Sequence, residues 1–498
     1  MNPFRKTFPL VLALMVTSAF AEPTPQPVNA ATPAPVVTNG VAGFTDAANF
    51  GFSPESSGVE NTRALQRAVD GEGTVVVSRP GTYKVAGTVF IGSNTTLRFG
   101  NAVYLMKVAE RGPFTHVLLN KGALTRTYDQ HITVEGLQII VNGVDVRNYL
   151  VYGLHGQIAF FYVKDLRIKG FRCHDLGTVQ YAIHVCTFED LIVDDVEVTG
   201  GKDGVHLGRG RRFTIRNGVF KNWDDAVALN AHDYSSGNPE LGWIEDGVIE
   251  NCHDLKPEKA IGYFGRMTAG AWIDWQPGME VQQSDTVVSE GRLYRVQARP
   301  DGTVYKSLTR PTHASGTMTL DGIPWGVVQN DVTHTAGVRN VIFRDIFLEN
   351  PRTSFSIHFD NDKYSRSYYP GSEVPQQGQV FFENIHVLHD EGIVFLDIDT
   401  PIDAVTIVNS SLKDSKIEFV GNKAMKDYGK TTINMIGCVF NHAGKMELVS
   451  NTMDGKLIEL KTTASIQVPD NFSAEVTSGN GKILVDSDLT GLSKERNK

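Results

Sequence analysis

One phrase recurs along this chain at a spacing that few folds tolerate. KDLRIKGF from Lys164, EDLIVDDVEV from Glu189, RRFTIRNGVF from Arg211, RNVIFRDIFL from Arg339, VFFENIHV from Val380 and AVTIVNSSL from Ala404 each read as a strand, a polar turn and a second strand. A second series lies between them: YAIHV from Tyr181, DGVHL from Asp203, DAVAL from Asp225, SFSIHF from Ser354 and EGIVFL from Glu391. Where nothing intervenes the interval is about 22 to 25 residues, one coil of a solenoid whose turns bury a face only against their neighbours. A hairpin-built sandwich would need tight two-residue turns between adjacent strands; here like strands return a full coil later, as parallel stacking requires. The expected fold is all-β, a single-stranded right-handed parallel β-helix.

Ahead of the repeat, NTRALQRAV (Asn61 to Val69) predicts a short helix capped by Asn61 or Thr62, with Ala64, Leu65, Ala68 and Val69 on its apolar face. Such a helix would plug the N-terminal end of the solenoid. The rhythm breaks between 268 and 336, where Trp272, Trp275, Tyr294, Trp325 and the turn-rich PTHASGTMTLDG stretch suggest an inserted small β module. Its text resembles accessory modules of phage tailspikes and carbohydrate-active enzymes. Its aromatics suit two readings, sugar stacking or a small self-contained core. The expected organisation is therefore a first β-helix part over 43–267, the module over 268–336 and a second β-helix part over 337–490.

At the N-terminus, Arg5 and Lys6 precede an apolar run ending in Ala19-Phe20-Ala21, the order of a cleaved secretion signal over 1–21. The run is shorter than the roughly 20 residues a membrane span needs. Residues 22–42, rich in Pro, Ala, Thr and Val, read as a linker. The mature chain is expected to be secreted or periplasmic, without a membrane span. A formal net charge of −9 and the lack of a basic tail argue against a nucleic-acid partner. The four cysteines, Cys173, Cys186, Cys252 and Cys438, are too few for a disulfide scaffold and lack metal-site spacing; a Cys173–Cys186 bond and buried free thiols both remain open. No cofactor or metal is expected, and oligomeric state is not legible.

Register then picks out a site. Ile183 and Val185, Val205 and Leu207, and Val227 and Leu229 repeat every 22 residues and should stack inward, so their alternates face out. One outward ladder is His184, His206 and Ala228, with His358 as its continuation beyond the insertion. A second, at the turn opening each strand, is Tyr181, Asp203 and Asp225. Coils about 4.8 Å apart bring Asp203 and Asp225 close enough to repel, which raises the proton affinity of one of them. Asp224 stacks on Lys202, putting three carboxylates and one ammonium on a single rim. Hydrolysis of a glycosidic bond needs one group to protonate the leaving oxygen and another to activate water. Aspartates before Gly204 or after Trp223 also make turns by bonding their own backbone, and Asp194-Asp195 reads that way. Strict alternation would send Asp224 and Asp225 to opposite faces, so a common cleft demands a bend at Trp223-Asp224.

GKDGVHL followed by NWDDAVALN resembles the DG and DD motifs of the polygalacturonase family of glycoside hydrolases (family 28), within the pectin-lyase-like β-helices, at that family's spacing. The resemblance implies a secreted hydrolase cleaving a polysaccharide with inversion, Asp224 as acid and Asp203 with Asp225 activating water. The family's Asn-Thr before the first DG is Gly201-Lys202 here, no Gly-His-Gly follows the DD, and no Arg-Ile-Lys lies downstream to grip a uronate, so the sugar stays open. Lys202, His206, His184, Tyr181, Arg266 and His358 are the candidate substrate-binding residues. Two rivals share the scaffold. A polysaccharide lyase would abstract a proton from a uronate with Lys, Arg or His; a non-catalytic carbohydrate-binding solenoid would use the aspartates only as turn formers.

Overall fold

The computed structural model describes residues 43–361, 365–420, 428–442, 444–463, 472–488 and 492–494; the signal segment and linker expected over 1–42 lie outside them. The N-terminal helix runs over Gly58–Val69, three residues earlier than predicted, because Ser57 rather than Asn61 closes its end. The Ser57 hydroxyl accepts from the Glu60 amide (3.3 Å) while the Glu60 carboxylate accepts from the Ser57 amide (2.9 Å), a reciprocal capping box. Asn61 is buried in the first turn, exchanging hydrogen bonds with the Ser53 backbone. Ala64, Leu65, Ala68 and Val69 bury the apolar face against the first strands. Among the described residues no helix is long and apolar enough to cross a membrane.

The β-rich remainder winds as a right-handed parallel β-helix, with 29 strands among the described residues paired into one continuous sheet. Gly156–Leu176 pairs in parallel with Tyr181–Gly200, which pairs onward with both Val205–Leu207 and Gly210–Asn222. Ile183, Val205, Val227, Gly265 and Phe355 stand one above another, so the 22-residue register read from sequence is the register of the sheet. These side chains are buried, each aliphatic one contributing about 1.5–3 kcal/mol.

The polar turn of the repeat has its own physical cause. Asp195, Asn217, Asn251, Asp345, Asn384 and Asn409 occupy one column, with φ of 59°, 56°, 50°, 53°, 53° and 49°. Asn and Asp tolerate this left-handed conformation better than other residues with a Cβ. Their side chains also bond along the column, Asn251 to Asn217 at 2.7 Å and Asn384 to Asp345 at 2.6 Å.

The insertion interrupts a coil without disturbing the ladder. Ile244–Asp254 pairs directly with Val338–Leu348, and Gly265–Ala271 with Phe355–Phe359. Thr268 to Ala271 thus remain in a solenoid strand, and the separate five-stranded sheet spans Ile273–Asp274 to Ile323–Gln329. Trp275, Tyr294 and Trp325 are buried with Val281, Val287 and Ile323, while Trp272 joins the solenoid core. Of the two readings of these aromatics, burial selects the core; their faces are not open to a sugar. All four cysteines are free and buried.

Candidate active site

The strand Gly210–Asn222 ends and Val227–Asn230 begins with a bend at 223–226 between them, so Asp224 and Asp225 escape strict alternation. Carboxylate oxygens of Asp203, Asp224 and Asp225 all lie within 4.8 Å of one another. The bend is held from behind: the Arg352 guanidinium donates to the Asp224 carbonyl at 2.7 Å and forks onto Asp254 at 2.8 and 3.1 Å. Gly262 closes over it, since a Cβ there would stand 2.6 Å from an Asp225 oxygen. The next amide, from Tyr263, donates to that oxygen at 2.9 Å.

The charges differ sharply over this short distance. Burial, then the negative charge of Asp224, pushes the Asp203 carboxyl up to about 7. Burial and both neighbours push Asp225 up to about 7 as well. Burial acts on Asp224 in the same sense, but the Lys202 ammonium, hydrogen-bonded to it, outweighs burial and holds it below the ordinary carboxylate range. Lys202 Nζ is also 3.8 Å from Asp203, so its ammonium faces both carboxyls. One oxygen of Asp203 and one of Asp225 are buried without a protein hydrogen-bond partner among the described residues. The three oxygens are spaced to suit a hard divalent cation too, but Lys202 already supplies the counter-charge.

The other candidate residues separate into two groups. Lys202, Arg266 and His358 are half-buried on the rim with Asp224. Arg266 sits 3.7 Å from Asp225 and 2.7 Å from Asp360. In register it is Arg266, then Ser356, that continues the His184–His206–Ala228 ladder; His358 stands opposite Thr268, two positions along, and reaches Arg266 only with its side chain, at 3.4 Å. Tyr181, His184 and His206 are buried, because the segment 231–243 folds over their ladder, so they cannot touch a sugar directly. His184 lies 2.9 Å from Asn238 Oδ1, and the Tyr181 hydroxyl 3.0 Å from that of Tyr234. His206 bridges Asp203, at 2.8 Å, and Asp233, at 3.5 Å, while stacking on Tyr181; burial holds its imidazole down at about 3, hence neutral. Sequence reasoning misses Asp233, Asn238, Arg352 and Asp360, which lie outside the strands of the repeat, and Asp254, which ends the strand Ile244–Asp254 opposite apolar Phe220 and Leu348.

No known family's sequence pattern and no curated protein matches the chain. Solved structures do. A hyperthermoactive exopolygalacturonase from Thermotoga maritima is 9% identical over 91% of this chain and 92% of its own, with a TM-score of 0.45. A variant tailspike protein of E. coli bacteriophage HK620, solved with a pentasaccharide, is 10% identical over 88% and 80%, with a TM-score of 0.44. PfbA, a surface adhesin of Streptococcus pneumoniae, is 13% identical over 89% and 94%, with a TM-score of 0.38. At these values the likeness carries no argument about activity.

Proposed function

We propose that the protein is a glycoside hydrolase acting on a polysaccharide through Asp203, Asp224 and Asp225. The observation that carries this is the convergence of three carboxyls from two consecutive coils within 4.8 Å, with opposite charge environments. Placing a proton-holding carboxyl against an ionised one is the arrangement that acid/base hydrolysis requires.

The resemblance to polygalacturonases makes Asp224 the acid, whereas Lys202 keeps that group ionised at rest and leaves the proton to Asp203 and Asp225, both raised to about 7. The closeness of the trio, with oxygens within 4.8 Å of one another, reconciles these two assignments. Asp203 passes its proton to Asp224, Asp224 passes it to the leaving glycosidic oxygen as the C1–O bond breaks, and Asp203, now a carboxylate, takes a proton from the water that attacks C1. Asp225 orients that water. One proton enters and one leaves, so the trio ends as it began. Direct attack by water implies inversion. Inverting pairs usually stand about 6.5–9.5 Å apart, wider than the spacing here, so the anomer first released is an informative measurement: the retained anomer would replace water with a carboxylate nucleophile.

Asp224→Asn should reduce release of reducing ends by about 10³-fold or more while leaving Tm nearly unchanged. Full activity in that variant, or a large fall in Tm with activity kept, would reduce the residue to a turn former. Of the bases a lyase would use, His184 and His206 are buried, Lys202 is paired with Asp224 and Arg266 with Asp360, which leaves His358 on the rim to serve that alternative. Absence of new ultraviolet absorbance in the products would exclude it.

A further inference from the structure

Beside the aspartates, a cavity of about 550 Å³ opens between the solenoid and the inserted module. That size falls within the roughly 300–1,000 Å³ of small-ligand sites. Most of its walls come from three stretches distant in sequence: Arg147 and Tyr152 from one loop, Tyr234 to Ser236 from the segment over the histidine ladder, and Gln297 to Pro300 from the module. Lys202 lines it as well and reaches Asp224, so the cavity adjoins the aspartate trio.

Its electrostatics oppose those of the molecule. The chain carries a formal charge of −9, yet the cavity is lined by Arg147, Lys202 and Arg299 and by no carboxylate. Lys202 is neutralised by Asp224; among the described residues neither arginine has an ion-pair partner. Arg147 is aimed by neutral groups, donating to the Tyr234 hydroxyl at 3.3 Å and lying over that ring at 5.7 Å. Two guanidinium forks brought from separate parts of the chain to one cavity repel each other unless an anion is shared, and their planar geometry fits a carboxylate or sulfate. The wall is not a loose flap. Arg295 of the module is buried and donates to the carbonyls of Ser235 and Asn238 at 2.9 and 2.6 Å, while Arg366 pairs with Asp285 at 3.3 Å.

We propose that this cavity is a subsite for an acidic sugar, in which Arg147 and Arg299 grip a carboxylate or sulfate carried by the unit next to the bond at the aspartates. As a subsite it rests on the hydrolase reading; as a binding site it can be tested without turnover. The probe is an array of uronate-bearing, sulfated and neutral glycans, presented to the Asp224→Asn protein with and without the further changes Arg147→Ala and Arg299→Ala. Both arginines are exposed, so the variants should fold, and an unchanged Tm verifies it.

Retention of acidic over neutral glycans, weakened by salt and lost about 10- to 100-fold in the double-arginine variant, is the expected result. Preference for neutral glycans, acidic binding that survives loss of both arginines, or no acidic glycan bound overturns it. Carboxyl-reduced and desulfated forms of a bound glycan tell the two anions apart. If the wild-type protein cleaves nothing while Asp224→Asn binds acidic glycans through the two arginines, the subsite stands and hydrolysis falls. If it cleaves a neutral glycan equally well without them, hydrolysis stands and the subsite falls.

Discussion

At the scale of single residues, Lys202 sets the chemistry. Its ammonium separates two carboxyls that would otherwise compete evenly for protons, so the trio titrates as a unit whose proton is held until about neutral pH. Hydrolysis through a proton borne by Asp203 should therefore decline as pH rises past about 7, toward tenfold per unit. Lys202→Met removes a charge that lowers the proton affinity of both neighbours, so the alkaline limb of kcat/KM should move to higher pH; a limb that does not move would take Lys202 out of the proton economy. Stability carries the same signature with a definite sign. Asp203 binds its proton more tightly folded than unfolded, so its contribution is full below about pH 4 and is lost as pH rises through about 7. The Tm of Asp203→Asn relative to wild type should accordingly improve between pH 4 and pH 7, measurable by calorimetry at both ends.

At the scale of elements, the turn column explains why the fold is legible in sequence. In this column each coil places a left-handed residue at the same height, and Asn or Asp supplies it from Asp195 to Asn409. Asn384→Val would place a β-branched residue at a φ of 53° and cut its bond to Asp345, at a cost of about 1–3 kcal/mol by chemical denaturation. The inward stack was equally readable, because Ile183, Val205 and Val227 repeat without a gap. Asp203 with Asp224 and Asp225 followed from the same 22-residue arithmetic. What did not follow has a common reason. The helix start moved to Ser57 because a local capping pair outweighed the apolar pattern, and the burial of His184 and His206 was invisible because an aperiodic segment covers an outward ladder. Arg266 rather than His358 continues that ladder because the register closes across the insertion in a way spacing along the chain cannot count.

At the scale of the whole molecule, the inserted module and the site are mechanically joined. The buried Arg295 guanidinium pins the backbone at Ser235 and Asn238, Asn238 holds His184, and Asp233 on the same segment faces His206 behind Asp203. Arg295→Met should leave two buried carbonyls unpaired, costing about 1–3 kcal/mol for each, and lower kcat more than Tm alone would predict; unchanged turnover in a destabilised variant would mean the segment is packing only. The way the coil closes beneath the module reaches further. Because Ile244–Asp254 meets Val338–Leu348 as though nothing lay between them, the pairing that supports the aspartates is indifferent to what the intervening chain encodes. Selection could lengthen, shorten or replace that excursion and so reshape what lies beside the cleft, while the three aspartates keep their places; the join is a natural point for grafting.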